Sequence, residues 1–291
     1  MRETELHKNF WNHHVAKEKR RDRNLEKKIH TDLVWLEIER VLQEGMTVLD
    51  AGGGYGRYSL LLAERGCEVY HLDISKRMLK DAQDEARKKG ISNIRFIEGD
   101  IRDLSFFEDG KFDLVISLDA PVSYAYPQHE KALKELARVS KKMLIISVVN
   151  RLGQLPVFIE TELRFHKSLE ISMKFLKTGN WDHPPFLNSL EGKMPFLSYF
   201  IFPPLHGFLP QEVISMVETN GFAIERLVAT GTLARMLSPK TLRKLSKDAN
   251  LYREFLKISL EYDSQIEVLG IGARSASGIL IVAHRKQGRK Q

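Results

Sequence analysis

Between residues 46 and 149 two kinds of stretch alternate along the chain. "MTVLD", "CEVYHLD", "NIRFIEGD", "KFDLVISLD" and "KKMLIISVV" are short, nearly continuous apolar runs and read as strands. "YGRYSLLLAERG", "SKRMLKDAQDEARKKG" and "QHEKALKELARVS" space their apolar residues as helices do, the second opening on a serine cap and closing on glycine. Strands that are apolar throughout are covered on both faces, which predicts a parallel sheet between two layers of helix. Ahead of this unit, "HTDLVWLEIERVLQ" puts Leu33, Leu36, Ile38, Val41 and Leu42 on one broad helical face, and Gly45 stops it. After Asn150 the pattern changes: residues 151–208 hold ten of the chain's 26 aromatics, with "HPP" and "FPP" and no repeat. "LPQEVISMVETNG" then restores a helix, "FAIERLVATG" a strand, residues 239–262 a helical stretch and "ASGILIVAHRK" a last strand. The organisation expected is an N-terminal helical segment (1–45), an α/β core (46–150), an aromatic-rich lid or substrate insertion between strands five and six (151–208), and a completion of the core sheet with a helical insertion (209–291).

Length and composition narrow this only slightly. The 291 residues can bury one large core with an appended segment, and 43% apolar with 29% charged residues is ordinary for a globular protein. No apolar run approaches the roughly 20 residues that cross a bilayer, and the N-terminus lacks a signal peptide's apolar core. The lone Cys67 rules out an internal disulfide framework and fits a reducing compartment, so a cytoplasmic location is expected, with no membrane partner. The net charge of +7 is uneven: residues 1–30 carry a surplus of four, the tail "HRKQGRKQ" four more, and the body between them is near neutral at −1. Basic ends on a neutral body speak less for nucleic acid than a basic face would.

The chemistry concentrates in "VLDAGGGYGRYS", where the first strand ends at Asp50 and Gly52, Gly53, Gly54 and Gly56 form the turn into a helix. In an open α/β sheet a ligand sits there, outside the carboxyl ends of the strands, against backbone N–H groups. A dinucleotide fingerprint starting at Gly52 would require glycine at position 57, which is arginine; a phosphate loop would require G-K-[ST]. An acid at the strand end suits a cation, and the ammonium and sulfonium of S-adenosylmethionine meet both requirements. Two further strands end in acid. Asp73 can accept both ribose hydroxyls, and Asp100 can take the adenine amino group while Ile101 packs on the ring.

On these residues the chain resembles the class I S-adenosylmethionine-dependent methyltransferases, over residues 45–150 and the last two strands. "VLDAGGGYGRYSLLLAERG", "VYHLDISKRMLKDA", "FIEGDIRDL" and "FDLVISLDAP" look like the family's first four motifs, and "LPQEVISMVETNGFAIERL" is similar to the sixth-strand unit of its small-molecule branch. Lys141 and Lys142 stand where Pro-Gly-Gly is common. The resemblance implies a Rossmann-like, seven-stranded, mostly parallel sheet with helices on both faces and an antiparallel last strand. It also implies a cofactor site drawn from Asp50, Gly52, Gly54, Gly56, Asp73, Ile74, Asp100, Ile101 and Leu118. Trp11, in "FWNHHVAKEKRRDR", would be the contact if the N-terminal helix folds over the cofactor.

Methyl transfer from an activated sulfonium needs positioning more than a base, so catalytic residues are faint in sequence. The best placed are Asp119, at the end of the fourth strand, with Tyr124 and His129 in the loop after it. Ala120 and Val122 depart from the D-P-P-Y pattern of nucleic-acid amino methyltransferases. A small-molecule acceptor methylated at oxygen or nitrogen is the expectation. An RNA (tRNA) methyltransferase and a non-catalytic cofactor-binding protein are the alternatives, and a homo-oligomer is left open. No metal is expected, since His7, His13 and His14 have no ligand spacing with an acid or cysteine.

Overall fold

The computed structural model describes residues 2–165, 168–182, 203–268 and 278–286. Seven strands form one sheet: β1 (Thr47–Ala51), β2 (Glu68–Asp73), β3 (Ile94–Glu98), β4 (Phe112–Ser117), β5 (Ser140–Val149), β8 (Phe222–Val228) and β9 (Gly278–Arg285). Their order is β3-β2-β1-β4-β5-β9-β8, and β9 runs antiparallel between β5 and β8. This is the Rossmann-like methyltransferase fold, with strand order reversing between β1 and β4. The crevice for a ligand therefore opens at the carboxyl ends of those two strands.

Alternation along each strand feeds two cores. Leu49, Val115, Leu144 and Ile146 enter one, with Leu133 and Leu136 of α6 (His129–Val139) and Val213 and Val217 of α9 (Pro210–Thr219). Val48, Leu114, Ile116 and Ile145 enter the other, with Val34 and Ile38 of α2 (Leu25–Glu39) and Leu60 and Leu62 of α3 (Arg57–Glu64). The strands thus read as continuous apolar runs because both faces are covered.

The N-terminal segment is broken. After α1 (Arg2–Lys19) a 3-10 turn, Arg21–Arg23, reverses the chain, and the Asn24 side chain accepts from Lys27 N at 3.3 Å to open α2. Polar contacts tie α1 to α4 (Lys76–Lys88) and its flanks: Asn12 Oδ1 accepts from Ser75 Oγ at 2.7 Å, and Lys19 pairs with Asp81 at 2.8 Å. The residues after β4, expected as a loop, wind into a helical turn, α5 (Pro121–Tyr124), because Pro121 at its first position is preset for helix.

Of the aromatic insertion, α7 (Arg151–Phe165), α8 (Glu170–Thr178) and an antiparallel two-residue ribbon, β6 (Asn180–Trp181) with β7 (Leu205–His206), are described; residues 183–202, including "HPP", lie outside the described residues, as does the end of the basic tail. Phe158, Phe175 and Trp181 pack on Ala120 and Val149 at the carboxyl ends of β4 and β5. A last group, α10 (Thr232–Met236), α11 (Pro239–Ser246) and α12 (Ala249–Val268), packs Leu242, Phe255 and Leu256 on Ile29 and Leu33 of α2.

Candidate cofactor and acceptor site

The glycines of the β1–α3 turn serve different neighbours. A Cβ on Gly52 would lie 2.5 Å from Pro121 Cγ, and one on Gly53 would lie 2.5 Å from His71 Cε1. A Cβ on Gly54 would meet no protein atom within 4 Å: the space beside it is the cavity. Gly56 does not line the cavity. Its φ of +87° caps α3, and a Cβ would touch Ala82 of α4 at 3.0 Å. Gly54→Ala should therefore fold with a loss of about 1 kcal/mol for its left-handed backbone, yet bind cofactor at least ~10-fold more weakly. Gly52→Ala should lose both fold stability and binding. Thermal unfolding alongside calorimetric titration separates the two, and equal stabilities for both variants would refute this division.

Beneath the turn lies a polar layer. Ser59 Oγ donates to Asp50 Oδ2 at 2.6 Å and sits 2.8 Å from His71 Nδ1, while His71 Nε2 is 3.1 Å from Gly54 O. Burial pushes the Asp50 carboxyl up to about 7 against the opposing hydrogen bond from Ser59, and burial holds His71 down at about 4, hence neutral. Asp73 accepts from Gly54 N and Ser75 N, both at 2.8 Å, and burial raises it to about 6 despite those bonds. One carboxylate thus fixes both the glycine turn and the start of α4.

A cavity with about 1000 Å³ of empty space, part of it open to solvent, joins these groups, a size usual for cofactor sites. Asp50, Gly52, Gly54, Asp73, Ile74, Asp100, Ile101, Leu118, Asp119 and Tyr124 all line it. Trp11 and His7 of α1 roof it, with Trp11 edge-on to Tyr124 at 5.3 Å. Asp100 is already engaged: Arg102 donates to it from Nε at 2.9 Å and reaches Thr4 Oγ1 of α1 at 2.6 Å. The helix is thereby clamped to the third acidic strand end.

A second cavity adjoins the first, sharing Trp11, Glu18, Asp119 and Tyr124, and is otherwise lined by groups that include Arg21, Lys27, His30, Thr230 and Arg235. Asp119 stands between the two cavities at a backbone φ of +61°, followed by Ala120 at +73°, conformations that cost an ordinary residue on the order of 1–3 kcal/mol each. The carboxylate receives Arg21 Nη1 at 2.5 Å and Arg57 Nη1 at 2.7 Å, with His30 Nε2 at 3.3 Å. Burial alone would raise it; Arg21, the His30 hydrogen bond and Arg57 outweigh burial and hold it well below the carboxylate range. His30 itself is lowered by burial, and its Nδ1 lies 2.9 Å from Thr230 Oγ1. The buried Asp263 accepts from Gly231 N at 2.8 Å and so fixes the loop carrying Thr230.

His129 is not brought to either cavity. It stacks on His206 at 4.3 Å and meets Phe208 edge-on, and burial lowers its pKa. Its position on the first turn of α6 points it at the insertion instead. The insertion reaches the second cavity through Gln154 and Leu205, whereas Phe158, Phe175 and Trp181 pack in a small core with Ala120, Val149 and Leu205. Arg21, His30, Arg57, Ser59 and His71 were missed in sequence. Arg57 and Ser59 lie inside the glycine motif, but Arg21 and His30 reach the site only through the 3-10 turn and α2.

Residues 42–186 match the model of a methyltransferase domain. Over 245 residues the chain is 36% identical to the tRNA 5-carboxymethoxyuridine methyltransferase of Escherichia coli, covering 82% of this chain and 83% of that protein. It is 30% identical over 114 residues to the magnesium-protoporphyrin O-methyltransferase of Rhodobacter capsulatus, covering 39% of this chain and 50% of that one. In fold it is similar to magnesium protoporphyrin IX methyltransferase from Synechocystis with bound SAH: TM-score 0.58, 18% identity, 98% of this chain and 100% of that chain. The chain belongs to the class I S-adenosylmethionine-dependent methyltransferases. It is an enzyme of that class, and S-adenosylmethionine is its cofactor.

Proposed function

We propose that this enzyme transfers the methyl group of S-adenosylmethionine to an oxygen of a carboxylate held in the second cavity. One observation carries the reading: beside the shared wall at Asp119 the second cavity is lined by Arg21, Lys27 and Arg235 together with Glu18 and Glu26, of which Glu26 faces Arg235, and the groups best placed as bases are occupied. Asp119 is bound by two guanidiniums, and both ring nitrogens of His30 have partners. Burial raises the Tyr124 phenol, so it is no readier to lose its proton. A carboxylate suits such a site, because its oxygen is ionised at neutral pH without help and its charge matches Lys27 and the donors of Arg21 not spent on Asp119.

In the cofactor cavity, Asp73 would hold the ribose hydroxyls, and Asp50 with the glycine turn would hold the ammonium. Ile101 would pack on the adenine between the apolar walls of Ile74 and Leu118, and Asp100, already held by Arg102, would reach the adenine amino group only through its remaining lone pairs. Gly56 supports this site from behind, through the start of α3. When bound there, S-adenosylmethionine would supply an activated methyl group, which the ionised acceptor oxygen would take while the electron pair of the broken carbon–sulfur bond stays on sulfur. A methyl ester and S-adenosylhomocysteine result, and no proton has to move. The names of the relatives agree in kind: one specifies a carboxymethoxy-bearing uridine, the other O-methylation. A free metabolite and a tRNA nucleoside can both present such a carboxylate.

The test uses methyl-labelled cofactor with two acceptor pools, carboxylic-acid metabolites and tRNA bearing 5-carboxymethoxyuridine. Ester label is released as methanol by mild alkali. Label that resists such treatment would reject carboxylate methylation.

A further inference from the structure

We infer that the carboxylate is carried by an RNA, whose phosphates lie along a basic face formed by the Arg20–Lys28 segment and α11. The starting point is α11. Arg243, Lys244 and, at its C-cap, Lys247 lie three, four and seven residues after Lys240, with no acid from Arg235 to Lys247. On the opposite side of the same helix Leu242 and Leu245 pack with Leu25 and Ile29 of α2. The stripe is therefore turned outward by the packing, next to the segment that carries Arg20, Arg21, Arg23, Lys27 and Lys28. Arg21 and Lys27 from that segment, and Arg235 just ahead of α11, line the acceptor cavity. The basic face thus runs to the place where the methyl group is delivered.

The cations are also available. Among the described residues, Arg20, Arg23, Lys27, Lys240, Arg243, Lys244 and Lys247 have no ion-pair partner. The nearby acids are each engaged: Asp22 accepts from Thr31 Oγ1 at 3.0 Å, while Glu26 faces Arg235 at 3.6 Å and Asp32 takes Lys28 at 2.5 Å, so these two cations are paired and those named above are not. Asp248 caps the start of α12 by accepting from Asn250 N at 2.8 Å. By contrast, the basic residues ending α4 are paired: Arg87 with Asp84, Lys88 with Glu85, and Lys89 with Glu64. A row of unpaired cations leading to a site for an anion fits a polyanion with a reactive group on one unit. A small metabolite would not extend beyond the cavity.

This inference rests on the carboxylate reading for what enters the cavity, but not for what lies on the face outside it. The experiment measures binding of bulk tRNA by fluorescence anisotropy over a salt series. It compares the unaltered protein, the triple variant Lys240→Ala/Arg243→Ala/Lys244→Ala, and a control of equal charge change, Arg87→Ala/Lys88→Ala/Lys89→Ala. Each phosphate contact contributes about 0.7–0.9 to the slope of log affinity on log salt, so the first triple should lower the slope by roughly 2 to 3 and the affinity at low salt by at least ~10-fold. The control should leave both nearly unchanged, and all three proteins should bind S-adenosylmethionine alike. Equal losses in the two triples, or an intact slope in the first, would overturn the proposal. So would binding to phosphatidylglycerol vesicles with none to tRNA. If tRNA is bound through α11 but its label resists alkali, the docking face stands and the carboxylate reading fails. If alkali-labile label enters only free metabolites and tRNA is not bound, the carboxylate reading stands and the docking face fails.

Discussion

Replacing Asp73 with alanine is expected to weaken S-adenosylmethionine binding by about 30- to 1000-fold in calorimetric titration, the equivalent of about 2–4 kcal/mol for two charge-assisted hydrogen bonds. Part of the loss comes from the ribose hydroxyls and part from the turn itself, since Asp73 also anchors Gly54 N and Ser75 N. Asp73→Asn, which keeps one acceptor oxygen, should fall between the two. The same site makes binding depend on pH in a definite direction. Burial raises Asp50 to about 7 and Asp73 to about 6, so the empty folded protein holds these protons more tightly than the unfolded chain does. Its stability from these groups is therefore greatest on the acid side and falls as pH rises through that range. The cationic cofactor selects the ionised carboxylates, so its affinity should climb over the same window and level off above it. In Asp73→Ala the rise should narrow to the Asp50 step. An affinity independent of pH from about 5 to about 8 would show that the cofactor's charge is met by other groups.

Arg21→Ala should reduce kcat/KM for the acceptor by roughly 10- to 150-fold, the range for about 1.5–3 kcal/mol lost with a hydrogen bond to a charged group, while cofactor affinity stays within a factor of ~2. Arg21 spends Nη1 on Asp119, and its Nε and Nη2 have no partner among the described residues, which leaves a pair of donors for a second carboxylate. Asp119 keeps Arg57 in the variant, so the wall between the cavities should survive. Arg21→Lys retains the charge without the planar pair and should recover only part of the rate. A fall in cofactor affinity equal to the fall in kcat/KM would assign Arg21 to the architecture alone; an unchanged kcat/KM would remove it from the acceptor site.

The lining of the first cavity was legible because most of its residues are local to single motifs. The strand ends carry Asp50, Asp73 and Asp100, and the parallel sheet lines those ends up along one edge whatever the rest of the chain does. What the residue pattern did not reveal was the second use of each acid. Asp100 reads as a free adenine acceptor until Arg102 is seen on it, and Asp119 reads as a base until Arg21, nearly a hundred residues earlier, is seen to neutralise it. His129 misled for the opposite reason. It lies close to Asp119 in sequence, but the first turn of α6 carries its ring away into a stack with His206. The charge count of residues 31–283 sums to near zero and does not show that Lys240, Arg243, Lys244 and Lys247 lie together without an acid among them.

By itself, then, the sequence determined the layered α/β sheet, the glycine turn and the nature of its ligand. Hydrophobic period and strand-end acids act within a few residues, and such short-range constraints survive any tertiary arrangement. The tertiary structure alone decided what surrounds the second cavity. A 3-10 turn swings Arg21 onto Asp119, α2 brings His30 to the same carboxylate, and apolar packing of α11 on α2 leaves a row of cations facing outward. Each of these juxtapositions joins segments separated by scores to hundreds of residues, and only burial of the apolar faces between them fixes the register in which their charges meet.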